Sequence, residues 1–178
     1  MIDLFKNIAI IISFKDFRDE EYFIPKQILK RAGAKIITVS NSTGTALGVE
    51  GGEAQVNILL ENLKVEDFDA IVFIGGPGAL KYLDNEISYK IVKDTVSQNK
   101  LLAAICISSV ILAKAGVLEN KNATVWSSSL DKSAVKTLKE NSANYEEKSV
   151  VIDGRIITGN GPLAAKEFGE KIVEALTP

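Results

Sequence analysis

Three uninterrupted apolar runs decide what this chain can fold into: residues 7 to 13 around Ile8–Ile12, Asp69 to Ile74, and Leu101 to Ile105. None alternates with polar residues, and each is far shorter than the roughly 20 residues of a membrane span. Each therefore reads as a strand covered on both faces, the pattern of a parallel sheet. An amphipathic stretch from about Asp19 to Arg31 has Ile24, Ile28 and Leu29 near helical spacing and Gly33 at its end, which predicts the first crossover helix. Ala34 to Ser40 alternates and is β-rich, and Thr43 to Gly52 is broken by glycines. Helices are expected over 86 to 98 and Ser108 to Ala115, a strand over Ala123 to Val125, and a surface helix around Ser133 to Glu140. Val150 to Ile152 and Ile156 to Thr158 flank Asp153-Gly154, a hairpin signal, and Pro162 opens a final helix over about 162 to 176. The expected fold is α/β, mainly parallel with an antiparallel edge. No repeat or linker divides residues 1–178, and 46% hydrophobic content fills the core of one domain.

Lysine and arginine number 21 against 23 acidic residues, so the net charge of −2 offers no broad attraction for nucleic acid or an anionic membrane. The opening apolar run lacks a signal-peptide cleavage pattern, and the single cysteine makes no internal disulfide. Both features point to a reducing cytoplasm. The chain contains no histidine. Cys-His and Ser-His pairs are thereby excluded, even across an interface between copies. One cysteine without imidazole also argues against a zinc site.

The strongest local motif is Leu101-Leu102-Ala103-Ala104-Ile105-Cys106-Ile107-Ser108-Ser109, an apolar strand running into a helix with cysteine at the junction. Ala104 and Ser108 are small, as a nucleophile elbow requires two positions either side. A helix N-terminus favours thiolate over thiol and is expected to lower the cysteine pKa. The alternative is a small buried hydrophobe. Gly75-Gly76-Pro77-Gly78 follows a predicted parallel strand, at the edge where open α/β sheets bind ligands, or is an ordinary loop. It matches no dinucleotide or Walker pattern, so no cofactor is assigned. Gly159 to Pro162 likewise leads into a helix N-terminus, an anion-friendly corner. Glu21 is either a plain helix N-terminal acid, like Asp16, Asp19 and Glu20, or a carboxylate turned inward where Pro25 disturbs the first helix. Trp126 is either a pocket wall or a packed aromatic.

Ala103-Ala104-Ile105-Cys106, Ile74-Gly75-Gly76 and Ile157-Thr158-Gly159-Asn160-Gly161-Pro162 together resemble the three loop motifs of the ThiJ/PfpI superfamily. Glu21-Tyr22-Phe23-Ile24-Pro25 followed by Leu29-Lys30-Arg31-Ala32-Gly33 is a fourth match. The resemblance spans essentially the whole chain. It is closest to the small single-domain branch that contains the human parkinsonism-associated protein and its bacterial relatives. It implies a flavodoxin-like three-layer α/β/α sandwich of the class I glutamine amidotransferase-like type. Cys106 then corresponds to the reactive cysteine and Glu21 to the acid that hydrogen-bonds it. Gly76 and the Ile107 amide supply oxyanion contacts, and Gly75, Trp126, Thr158 and Gly159 surround the pocket. A homodimer with contacts through the first helix is also implied. The departures are Ile107, where protease-like members carry histidine, and Trp126, where glyoxalase or deglycase members carry a pocket histidine. Ile107 also departs from the isocyanide-hydratase branch, which has threonine there.

Three activities follow as expectations. The first is addition of Cys106 to a small reactive carbonyl, with Glu21 as the proton carrier. The second is oxidation of Cys106 as a stress sensor, which needs no histidine. The third, intracellular peptidase or amidase action, ranks last because a leaving amine needs a proton donor.

Overall fold

Strand β1 (Asn7–Ile12) carries isoleucine or alanine at every position after Asn7, and all five of these residues are fully buried. A computed structural model describes residues 5–178 and shows why. After β1 the chain forms β2 (Lys15–Phe17), α1 (Asp19–Arg31), β3 (Lys35–Ser40), β4 (Thr45–Gly48), β5 (Glu53–Gln55), β6 (Ile58–Leu59) and β7 (Ala70–Phe73). Then come α2 (Pro77–Tyr82), α3 (Glu86–Ser97), β8 (Leu101–Ile105), α4 (Ser109–Lys114), β9 (Asn122–Ala123) and α5 (Ser133–Glu140). The last elements are β10 (Asn144–Tyr145), β11 (Val150–Asp153), β12 (Ile156–Gly159) and α6 (Ala165–Leu176).

The central sheet has the order β11-β12-β8-β7-β1-β3-β6, parallel throughout except for the antiparallel edge strand β11. Strand side chains alternate between two cores. Ile8, Ile10, Ile12, Val72 and Ala103 pack with Tyr22 and Leu29 of α1 and Phe168 and Ile172 of α6. Ala9, Ile11, Phe73 and Leu102 pack with residues of α3, α4 and α5. The result is the expected flavodoxin-like α/β/α sandwich. Among the described residues no helix is long and apolar enough to cross a membrane.

Helix α1 has the predicted bounds, with Gly33 beyond its end at φ 88°. It runs through Pro25 without ending, and a side chain on Gly169 of α6 would lie 3.0 Å from the Pro25 Cα, so these two residues let the helices approach closely. Its buried stripe is Glu21, Tyr22, Pro25 and Leu29, while Ile24 of the expected stripe faces outward.

Other elements differ from expectation. The hairpin reverses at Gly154-Arg155, with Asp153 pairing to Ile156. The strand expected over Ala123 to Val125 is only Asn122–Ala123, paired in parallel with β10 in a separate sheet. Helix α2 and a small sheet of order β2-β4-β5 were not anticipated. That sheet matters because β2 leads straight from β1 into α1 and so sets where Glu21 enters.

Candidate active site at the strand-to-helix elbow

The chain runs from β1 to β3 and β6 on one side of the sheet, then from β7 to β8 and β12 on the other. The reversal opens a crevice at the carboxyl ends of β1 and β7, the place where open α/β sheets accept ligands. Cys106 stands beside it at the end of β8, in a left-handed conformation with φ 63°. Such a backbone costs a non-glycine residue about 1–2 kcal/mol and persists only where neighbours enforce it. They do so here: the Ser108 hydroxyl donates to the Ile74 carbonyl at 2.6 Å, and the Trp126 amide donates to the Cys106 carbonyl at 3.2 Å. The chain then makes a tight turn over Cys106–Ser108 before α4.

Glycines are required beneath the elbow. A side chain on Gly75 would lie 2.6 Å from Cys106 Cβ and 2.7 Å from Glu21 Oε2, so the cysteine and the carboxyl flank the same spot. Gly76, at φ 111°, would place a Cβ 2.5 Å from the Arg18 amide nitrogen. The Arg18 amide donates to the Gly75 carbonyl at 3.0 Å, which clamps this loop to the segment between β2 and α1.

Glu21 is fully buried and points inward, unlike a plain helix N-terminal acid. Its Oε2 accepts the Gly75 amide at 2.9 Å, whereas its Oε1 is buried with no hydrogen-bond partner. The acids around it have other surroundings. Asp19 accepts the amides of Glu50 at 2.9 Å and Gly52 at 2.7 Å and so holds that loop, while Asp16 is exposed. Burial raises the Glu21 carboxyl to about 7, against the opposing pull of Cys106, the Gly75 amide and Arg18. Burial also pushes the Cys106 thiol up, followed by the negative charge of Glu21, while the amides of Ile107 and Gly76 act the other way. This direction is opposite to the one a helix N-terminus alone predicts. Two acidic groups share a buried site and together resist a second negative charge.

Cys106 opens onto a cleft of about 250 Å³ lined by Arg18, Gly76, Pro77, Leu80, Cys106, Ile107 and Trp126. Trp126 is thus a pocket wall. Gly75 lies below the cleft, holding Glu21. Thr158 and Gly159 are not part of the lining. The Thr158 hydroxyl accepts the Thr124 amide at 2.9 Å and ties the chain after β9 to β12. A side chain on Gly159 would meet Ile105 and Phe168 in the core. Arg18 and Leu80 were missed from sequence, whereas Pro77 lies in the glycine-rich loop singled out there. The proline that opens a short helix was a usable signal for Leu80. Nothing in the sequence marked Arg18.

Fold and corner together define an open α/β protein with a cysteine nucleophile elbow. The chain belongs to the DJ-1/PfpI family, whose profile matches residues 6–175. The solved ThiJ/PfpI domain protein from Brachyspira murdochii superposes with a TM-score of 0.89 at 34% identity, covering 96% of this chain and 95% of that one. Glutathione-independent glyoxalase DJR-1.2 of Caenorhabditis elegans is 29% identical over 171 residues, 96% of this chain and 89% of its own length. A deglycase of Pyrococcus abyssi is 28% identical over 154 residues, 86% of this chain and 90% of its own.

Proposed function

We propose that this protein is a cysteine-dependent enzyme acting on small reactive carbonyl compounds, of the glyoxalase or deglycase kind. The observation that carries the reading is the buried Glu21 carboxyl, with its Oε1 partnerless, flanking the same spot above Gly75 as the chain's one cysteine. With a pKa near neutrality, Glu21 can hold a proton on that oxygen and donate it to Cys106 Sγ, so that the pair carries one negative charge between them.

Acting on a 2-oxoaldehyde, the thiolate adds to the aldehyde carbon, forming the C–S bond and moving the carbonyl π pair onto oxygen. The amides of Gly76 and Ile107 stabilise that charge, and the Glu21 proton converts it to a hemithioacetal. The Glu21 carboxylate then takes the hydrogen on the same carbon as a proton and returns it to the neighbouring carbon, while the hydroxyl proton passes from the first oxygen to the second. A thioester of a 2-hydroxy acid results, and water cleaves it to release the acid and restore the thiol. The net change is addition of one water, with no external oxidant. The small cleft suits a short aldehyde better than a peptide. Among the described residues, Cys106 and Arg18 are the ionisable ones lining it.

A second reading, oxidation of Cys106 as a sensor, draws support from the same two amides, which act on the thiol in the direction that favours a charged sulfur group. Exposed Phe23 and Ile24 on α1 support a homodimer through that helix, which light scattering tests.

The deciding experiment is methylglyoxal turnover by wild type, Cys106→Ala and Glu21→Gln. Wild type is expected to form lactate, Cys106→Ala to show none, and Glu21→Gln to lose about 10²-fold or more. Undiminished turnover by Cys106→Ala contradicts the reading.

A further inference from the structure

Among the described residues the cleft has one cation, and nothing in the chemistry above employs it. Arg18 lines the cavity together with the apolar Pro77, Leu80, Ile107 and Trp126. Its side chain is 31% exposed, and among the described residues its ion-pair partner is Glu50, at 3.8 Å, with 58% of the Glu50 side chain in solvent. That separation is beyond hydrogen-bond range, and an exposed pair of this kind is weak. A guanidinium has five donors in a planar fork matched to a carboxylate or phosphate. Here Arg18 lines a partly desolvated space next to the nucleophile, where an opposite charge gains more than in water. Its backbone is fixed, since the Arg18 amide donates to the Gly75 carbonyl and Arg18 immediately precedes α1.

We infer that Arg18 is a specificity-determining residue that selects small carbonyl compounds bearing a negatively charged group, so that the preferred substrates are anionic 2-oxoaldehydes. This rests on the carbonyl-enzyme reading for the chemistry, although anion recognition at the cleft can be measured without turnover. The carbonyl carbon meets Cys106 while the anionic end reaches the guanidinium. The small cleft limits the chain between them to a few carbons. Glu50 competes for the same fork, so its removal strengthens the selection.

Two measurements separate the inference from the reading beneath it. The first compares alkylation of Cys106 by iodoacetate and iodoacetamide, reagents of similar size that differ in charge. The iodoacetate-to-iodoacetamide rate ratio is expected to fall about tenfold in Arg18→Gln, the size of one lost hydrogen bond to a charged group. It should be largely retained in Arg18→Lys and should rise in Glu50→Ala. An unchanged ratio in Arg18→Gln overturns the inference. The second compares kcat/KM for 4,5-dioxopentanoate and methylglyoxal. Wild type should prefer the anionic aldehyde, and Arg18→Gln should lose that preference mainly through KM for 4,5-dioxopentanoate, because the lost contact is a binding one. Turnover of both aldehydes without regard to Arg18 overturns the inference and leaves the carbonyl reading intact. Turnover of neither, with an Arg18-dependent alkylation ratio, overturns the carbonyl reading and upholds anion recognition by Arg18.

Discussion

Two glycine-proline loops leave parallel strands of the same sheet and enter helical turns with proline in the first position, yet only one meets the nucleophile. Gly75-Gly76-Pro77 follows β7, and Gly159-Asn160-Gly161-Pro162 begins at the last residue of β12. Strand β7 lies between β1 and β8, at the reversal of the strand order, while β12 lies beyond β8 next to the antiparallel edge. The space a side chain would need is also filled differently. At Gly76 it is the Arg18 and Asp16 backbone, 2.5 and 2.6 Å away; at Gly159 it is side-chain atoms of Ile105 and Phe168, 3.1 to 3.3 Å away. A glycine loop serves a site when backbone or reacting groups occupy the place of its side chain. Its place in the strand order decides whether that happens.

The sharpest way to break this contrast is Gly76→Ala, which combines a left-handed backbone with an overlap that fixed backbone cannot relieve. A loss of about 3 kcal/mol in urea unfolding, with loss of Cys106 alkylation, is expected. A change under about 1 kcal/mol would remove the distinction.

Glu21, held by the neighbouring Gly75, gives the next effect. Its carboxyl moves from the ordinary 4.5 to about 7 in the folded protein. The native state therefore binds this proton more tightly than the unfolded chain does. Its contribution is full below about pH 4.5, is lost as pH rises towards 7, and stays lost above that. A shift of this size corresponds to at most about 3 kcal/mol. Glu21→Gln should flatten that part of the stability profile, read by unfolding at pH 4, 6 and 8.

On the β12 side, Thr158→Val strands the buried Thr124 amide and should cost about 2 kcal/mol while leaving alkylation of Cys106 unchanged. Gly159→Ala presses only on side-chain atoms and should cost about 1 kcal/mol, again with an unaltered thiol. Altered thiol reactivity in either variant would draw the second loop into the site.

The layers of the fold were legible because burial on both faces leaves an apolar run that few other structures tolerate, as in β1 and β8. Helices α1 and α5 were legible to their ends, since their polar and apolar periodicity is local. Strand β2 was not, because Lys15-Asp16-Phe17 has no pattern of its own and becomes a strand only by pairing with β4. Helix α2 was hidden by Gly78, whose lack of a side chain is needed where the loop crosses Lys15. Cys106 showed itself through the small residues around the elbow. Glu21 had a further signal in the sequence, since Glu21, Pro25 and Leu29 are spaced by four and share the buried stripe. Thr158 and Gly159 were misplaced because motif order along the chain does not tell which loops converge. The direction of the thiol shift was misjudged because a helix N-terminus is visible in sequence, whereas burial against a carboxyl is not.

The most direct test of the Cys106–Glu21 pair is the pH dependence of Cys106 alkylation by iodoacetamide in wild type and Glu21→Gln, with no second thiol to interfere. Wild type is expected to gain reactivity across pH 7, where the pair gives up its first proton, and Glu21→Gln to lose that inflection. Identical profiles in the two proteins, with the inflection of an ordinary free thiol, would mean that the two groups do not titrate together.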